Sequence, residues 1–138
     1  AHAMRRCGIS LRAALALHRC ALDDHQLEHA RDDVDLLDRR LRSVPGIGRW
    51  TSAETRLALG DPDAVSVGDY NLPGVVCRAL AGMEGDACTD AAMLELLEPY
   101  RGQRGRVIRL VVRAAGRGLL PLGRRRAPRA ALSAHRYW

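Results

Sequence analysis

The sequence predicts an all-α fold. Apolar residues recur at three- and four-residue spacing in each long segment, and turns rich in Gly and Pro separate those segments. No two alternating stretches are positioned to pair as strands, and no internal repeat is present. With 138 residues and 47% apolar content, the chain is long enough for one domain with an adequate core.

In residues 9–22, Ile9, Leu11, Leu15 and Leu22 spread over most of the helical circumference, which predicts a largely buried helix. Residues 32–42 form the next helix, with Leu36, Leu37, Leu41 and Val44 on one face, and Pro45 stops it. A further helix runs from Arg49 to the turn Gly60-Asp61-Pro62-Asp63, after which residues 64–67 alternate like a short extended segment. Residues 70–80 return to helix on Leu72, Val75, Val76 and Leu80, with Pro73 in the first turn, where its missing N–H does no harm. Thr89 is the predicted N-cap of a helix over 90–98, which Pro99 breaks. Residues 101–115 are helical, with Val107, Leu110, Val111 and Ala114 inward and Arg104, Arg106, Arg109 and Arg113 mostly outward. The expected organisation is a helical domain over 1–123 followed by a basic tail over 124–138.

Charge is unevenly distributed. The net charge is +6 and all 22 basic residues are Arg, which favours bidentate forks to phosphate over diffuse ammonium charge. Eleven Arg and no acid lie between Arg101 and Trp138, whereas seven acids lie between Asp23 and Asp38. That segregation suits a polyanion on one region and solvent on the other. No run approaches the roughly 20 apolar residues of a membrane span, so no membrane partner is expected. Cys7, Cys20, Cys77 and Cys88 lack metal-ligand spacing and read as small core hydrophobes of a reducing cytoplasm.

Residues 44–52 read Val-Pro-Gly-Ile-Gly-Arg-Trp-Thr-Ser. Gly46 and Gly48 permit positive φ and leave backbone amides uncovered, while a helix starting at Arg49 points its N-terminal amides and positive dipole end the same way. A phosphate fits such a hairpin, held without any reading of base sequence. The plainer alternative is an ordinary tight connection between two helices.

Together with Val67-Gly-Asp-Tyr, nineteen residues from Trp50 to the acid, this hairpin resembles the helix-hairpin-helix DNA glycosylase superfamily, and within it the 3-methyladenine DNA glycosylase II branch. Gly8-Ile-Ser-Leu-Arg-Ala-Ala-Leu-Ala-Leu and Glu98-Pro-Tyr-Arg-Gly are similar to flanking segments of that branch, so the resemblance covers about residues 5 to 116. It implies that Asp69 is the catalytic carboxylate of a hydrolase that excises alkylated purines in base-excision repair. Breaking an N-glycosidic bond builds positive charge on the sugar, which a carboxylate stabilises while orienting water. The base must first leave the stack. Asp69 could equally serve as an N-cap, and both roles are compatible.

Relatives that also nick the strand place a lysine at the position of Trp50, and this chain contains no lysine, so the resemblance implies a monofunctional enzyme. An indole there suits a positively charged alkylated purine through cation–π attraction, with Tyr70 and Tyr100 completing the wall and core packing the alternative for each. Pro45, Gly46, Ile47, Gly48, Arg49, Thr51 and Arg101 would contact phosphate. The main-chain carbonyls of Arg42, Val44 and Ile47 would hold a structural Na+ or K+, with no other cofactor required. An iron–sulfur cluster is not expected, since no cysteine follows Cys88. The implied partner is double-stranded DNA carrying damaged bases, bound by a monomer associated with the nucleoid of a bacterial cytoplasm. The family pattern has further helices ahead of the segment that begins at Ala1, so the chain is expected to correspond to the C-terminal portion of that pattern. A non-catalytic helix-hairpin-helix DNA-binding module is the alternative function, and a purely structural helical domain a third.

Overall fold

The structure, a computed structural model, describes Met4 and residues 6–120, so the basic tail expected over 124–138 lies outside the described residues. The described residues are all-α, with no strand among them. They fall into two compact units, the first ending at Gly48 and the second beginning at Arg49.

In the first unit, α1 spans Leu11–Leu22, α2 Asp24–His29 and α3 Val34–Ser43. Short polar side chains start two of them. The Ser10 hydroxyl accepts from Ala13 N–H at 3.1 Å, and the Asp33 carboxylate from Leu36 N–H at 2.9 Å, each satisfying an amide that the first helical turn leaves without a partner. The small core comprises Ala30, Leu37 and Leu41, with Leu27, Leu36 and Ile47 packed on it, which bears out the apolar face assigned to α3. The expectation of a largely buried α1 is not met. Only Ala14 and Ala16 are buried, while Leu11, Leu15, Leu17 and Leu22 are 46–69% exposed. Apolar residues that encircle a helix can all be covered only if neighbours surround it, and within this unit α1 buries one narrow, alanine-lined side.

In the second unit, α4 spans Arg49–Ala58, α5 Leu72–Ala81, α6 Asp90–Leu97 and α7 Arg104–Gly116, with single 3₁₀ turns at Gly85–Ala87 and Glu98–Tyr100. Its core is Leu72, Val76, Cys77, Met93, Leu97 and Ile108, contributed by α5, α6 and α7. A smaller cluster of Ala53, Leu57 and Ala64 joins α4 to the chain that follows it. Pro73 falls in the first turn of α5 and Thr89 caps α6 by accepting from Ala92 N–H at 3.1 Å, both as the sequence predicts. Residues 64–67 keep the alternation, with Ala64 and Ser66 buried, but form no strand; the Ser66 hydroxyl donates to Glu54 instead.

The last helix departs from expectation in its start and at two positions, Arg104 and Leu110, while Val107 packs on the core and Arg106, Arg109 and Arg113 are exposed as expected. Residues 101–103 form a turn, with Gly102 at φ 88° and Gln103 N–H donating to the Tyr100 carbonyl at 2.8 Å, so α7 begins at Arg104. Its buried residues are Gly105 and Ile108, whereas Leu110, expected inward, is 67% exposed. The cause is Asp63. One of its oxygens accepts from Gly102 N–H (2.8 Å), Arg104 N–H (2.9 Å) and Arg104 Nε (2.8 Å), and the other accepts from Arg104 Nη2. Arg104, expected to point mostly outward, is therefore half-buried, and Arg109 donates to the Leu57 carbonyl. The cysteines also divide: Cys77 is buried and Cys20 and Cys88 half-buried, but Cys7 is exposed and is no core residue.

Hydrogen bonding from the Arg104 side chain holds the Asp63 carboxyl below its ordinary value of 3.8. A depressed folded-state value means that the unfolded chain binds the proton more readily, so this pair stabilises the fold above about pH 4. The contribution is lost as pH falls through the folded value. Asp63→Asn is expected to cost about 2 kcal/mol at pH 7 and to flatten the acid limb of stability against pH. Urea unfolding at pH 7 and pH 3 checks this: an equal penalty at both would refute the ion pair as its source.

Candidate functional site

The hairpin is built at the end of α3. Val44 is buried and extended, Gly46 takes φ 101°, and Ile47 N–H donates to the Val44 carbonyl at 3.0 Å. Gly48 does not require positive φ, so only one of the two glycines is there for left-handed backbone. Pro45, Gly46, Gly48 and Arg49 are exposed, Ile47 packs its side chain on the α3 core, and Thr51 is half-buried inside α4. One lone pair of the Val44 carbonyl is committed to the turn, which leaves the second for any monovalent cation. The Arg42 side chain pairs with Asp38 at 3.3 Å; a guanidinium has no lone pair to offer a cation, so only the Arg42 carbonyl is relevant to such an ion. Among the described residues no group of three or more His, Cys, Asp or Glu is placed to hold a metal.

Asp69 lies on the turn that leads into α5. Gly68, at φ 89°, makes that turn, and its N–H donates to the Asp90 carboxylate at 3.0 Å, which ties the turn to the start of α6. The two oxygens of Asp69 have separate tasks. Oδ1 accepts from Asn71 N–H (2.8 Å) and Leu72 N–H (2.9 Å), so Asp69 caps α5 from outside while Asn71, at the boundary, makes no side-chain cap. Oδ2 accepts from Trp50 Nε1 at 3.0 Å. The capping role weighed from sequence is therefore realised, and the carboxylate is held at both ends by neutral donors.

The indole is used differently from the sequence expectation of a stacking wall. Its N–H edge is turned to the carboxylate, and the ring is 44% exposed. Of the aromatic residues assigned to that wall, Tyr70 is 83% exposed and Tyr100 is also exposed, so neither packs into the core. Arg101, assigned to phosphate, forks through Nε and Nη2 to Glu98 on the surface. Sequence reasoning joined Trp50 and Asp69 only by interval and missed Asp90, whose place at the first turn of α6 carries no sign of the loop that it braces.

A double-mutant cycle tests the indole–carboxylate bond in solution. Trp50→Phe keeps the ring and removes the N–H, and Asp69→Ala removes the acceptor. The expected coupling is about 1 kcal/mol, at the low end for a charge-assisted bond because the ring edge is partly solvated. Coupling near zero in urea unfolding would show that the bond does not persist in water.

No family model matches the chain, and neither a curated protein nor a solved structure matches it. The described residues include no helix long and apolar enough to cross a membrane.

Proposed function

We propose that the chain is a monofunctional DNA glycosylase that hydrolyses the N-glycosidic bond of alkylated purines in double-stranded DNA, of the 3-methyladenine DNA glycosylase II type. The observation that carries this reading is the Trp50–Asp69 hydrogen bond at 3.0 Å, together with the two amides on the other carboxylate oxygen. A carboxylate fixed in one orientation before substrate arrives needs no reorganisation when positive charge develops on the sugar. It then orients the water that completes hydrolysis. With no lysine in the chain, and the arginine guanidinium permanently protonated and non-nucleophilic, no side chain can form a Schiff base with the sugar, so cleavage ends at the abasic site. The exposed hairpin at Pro45, Gly46 and Gly48 would hold a phosphate. A Na+ or K+ on the Arg42, Val44 and Ile47 carbonyls would stiffen that turn without entering the chemistry. The enzyme would act as a monomer, without another cofactor, on chromosomal DNA in the cytoplasm.

A second reading, a non-catalytic DNA-binding module, is favoured by one specific feature: both oxygens of Asp69 already have protein partners, so the acid is fully explained as a structural cap. Release of free methylated purine from alkylated duplex DNA separates the two. Wild-type protein that binds the duplex and releases no base would falsify the glycosylase reading and leave the module.

A further inference from the structure

The first unit contains an open groove of about 940 Å³ between the start of α1 and the hairpin turn, lined in part by Ser10, Arg12, Leu15, Arg19, Pro45 and Gly46. We propose that this groove is a binding site for the phosphodiester backbone of duplex DNA, with Arg12 and Arg19 as its cationic contacts. The inference rests on the DNA-binding part of the function proposed above and is independent of base excision.

Three observations carry it. First, Arg12 lies against the turn itself: a Cβ placed on Gly46 would stand 3.7 Å from Arg12 Cγ and 3.8 Å from its Nε. The Arg12 stem therefore runs at van der Waals distance past the turn, whose backbone requires glycine for its positive φ. Second, Arg19 follows Arg12 by seven residues, two helical turns and about 10.5 Å along the same face of α1, with Leu15 between them. That spacing corresponds to about three phosphates of one strand, at roughly 3.4 Å of axis each. Third, both guanidiniums lack an ion-pair partner among the described residues, whereas Arg42, Arg56, Arg78, Arg101 and Arg104 each sit on a carboxylate. No acid lies between Ala1 and Leu22 in the sequence, and Asp23, which caps the far end of α1, makes no ion pair with Arg19.

The groove suits a nucleic-acid strand better than a small anion. Its Ser10 oxygen accepts from the Ala13 amide and keeps the O–H free to donate, so the two guanidiniums supply the charge and the hydroxyl one further donor to a phosphate oxygen. Leu15, between the two cations on α1, and Pro45 add apolar lining, which fits the deoxyribose faces that alternate with phosphates. Contacts of this kind position a duplex and carry no sequence information. The basic region recognised from sequence lies after Arg101; this one lies on a helix in the other unit.

The test is fluorescence anisotropy of the full chain with an undamaged 20-base-pair duplex of two unrelated sequences, over a salt series, for wild type, Arg12→Gln, Arg19→Gln and the double variant. Both positions are exposed, so the fold is expected to survive, and thermal melting checks this. Each single variant should weaken binding about 3- to 10-fold on both duplexes alike and reduce the slope of log affinity against log salt by about 1. Arg31→Gln, on an exposed position in the acidic segment, should bind as wild type. Wild-type affinity and slope in the double variant would overturn the groove while leaving DNA binding by the chain intact. Wild-type binding to vesicles of anionic phospholipid but not to duplex would overturn the groove's assignment and the DNA-binding reading together.

Discussion

Asp69→Asn is expected to reduce release of methylated purine from alkylated duplex DNA by at least about 100-fold, with duplex affinity changed by less than about threefold. The substitution removes one negative charge and almost no volume. Its carbonyl oxygen can still accept from the Asn71 and Leu72 amides, so the cap on α5 is retained. Its Nδ2 group then meets the Trp50 N–H, donor against donor, and that hydrogen bond is lost at a cost of about 1 kcal/mol of stability. A 100-fold loss of rate corresponds to about 2.7 kcal/mol of transition-state stabilisation, more than the change in stability and not transferable from it in a protein that remains folded. Asp69→Ala separates the two roles further, because it removes charge and cap together and should cost another 1 kcal/mol or so of stability. Excision that stays within a few-fold of wild type in Asp69→Asn would remove the carboxylate from the chemistry and leave it as a cap.

Gly105→Ala is expected to destabilise the second unit by about 2–3 kcal/mol, although the same change in most helices is favourable. The added Cβ would stand 2.7 Å from the Ala64 carbonyl oxygen, 2.8 Å from Leu57 Cδ2 and 2.9 Å from the Pro62 carbonyl oxygen. Leucine can rotate away, but two backbone oxygens cannot. The Pro62 carbonyl also accepts from Arg106 N–H at 3.0 Å, and Asp63 grips Arg104, so the segment after α4 is bound to α7 on both sides of the clash. The gain of about 1 kcal/mol from replacing a helical glycine is therefore outweighed. Gly74→Ala is the control. It lies within α5 with nothing within 4 Å of the added atom, so it should raise stability by about 0.5–1 kcal/mol. Thermal unfolding of both checks the pair, with the midpoint of Gly105→Ala lower by about 10 °C or more. Equal midpoints for Gly105→Ala and wild type would mean that α7 does not approach the 62–64 backbone this closely.

Gly105 illustrates the limit of reading one chain. In sequence it is a weak helical residue with no assigned neighbour, and only the approach of residues 57–64 gives it a reason. The inward face of α7 was legible only in part: Val107 packs on the core and Val111 and Ala114 are half-buried, yet the Asp63–Arg104 pair and the close packing at Gly105 centre the buried side on Gly105 and Ile108 and leave Leu110 outside it. Trp50 and Asp69 were legible as a pair by residue type and interval, but not the edge-on geometry, because a side chain's direction depends on where two distant backbone segments meet. The exposed leucines of α1 show the converse, that an abundance of apolar residues does not bury a helix unless neighbours surround it.

Local signals lie in the chain itself: Thr89 starts α6, Pro45 ends α3, and Gly46 permits the left-handed turn, because capping, ring closure and φ preference act within a few residues of one another. Packing alone settles which groups meet: the Trp50 N–H on Asp69, Asp63 on Arg104, Arg12 beside Gly46. Those pairings are set by where the elements pack within each unit, and the free energy that selects one packing arises from contacts between residues far apart in the chain, for which spacing within a segment holds no record.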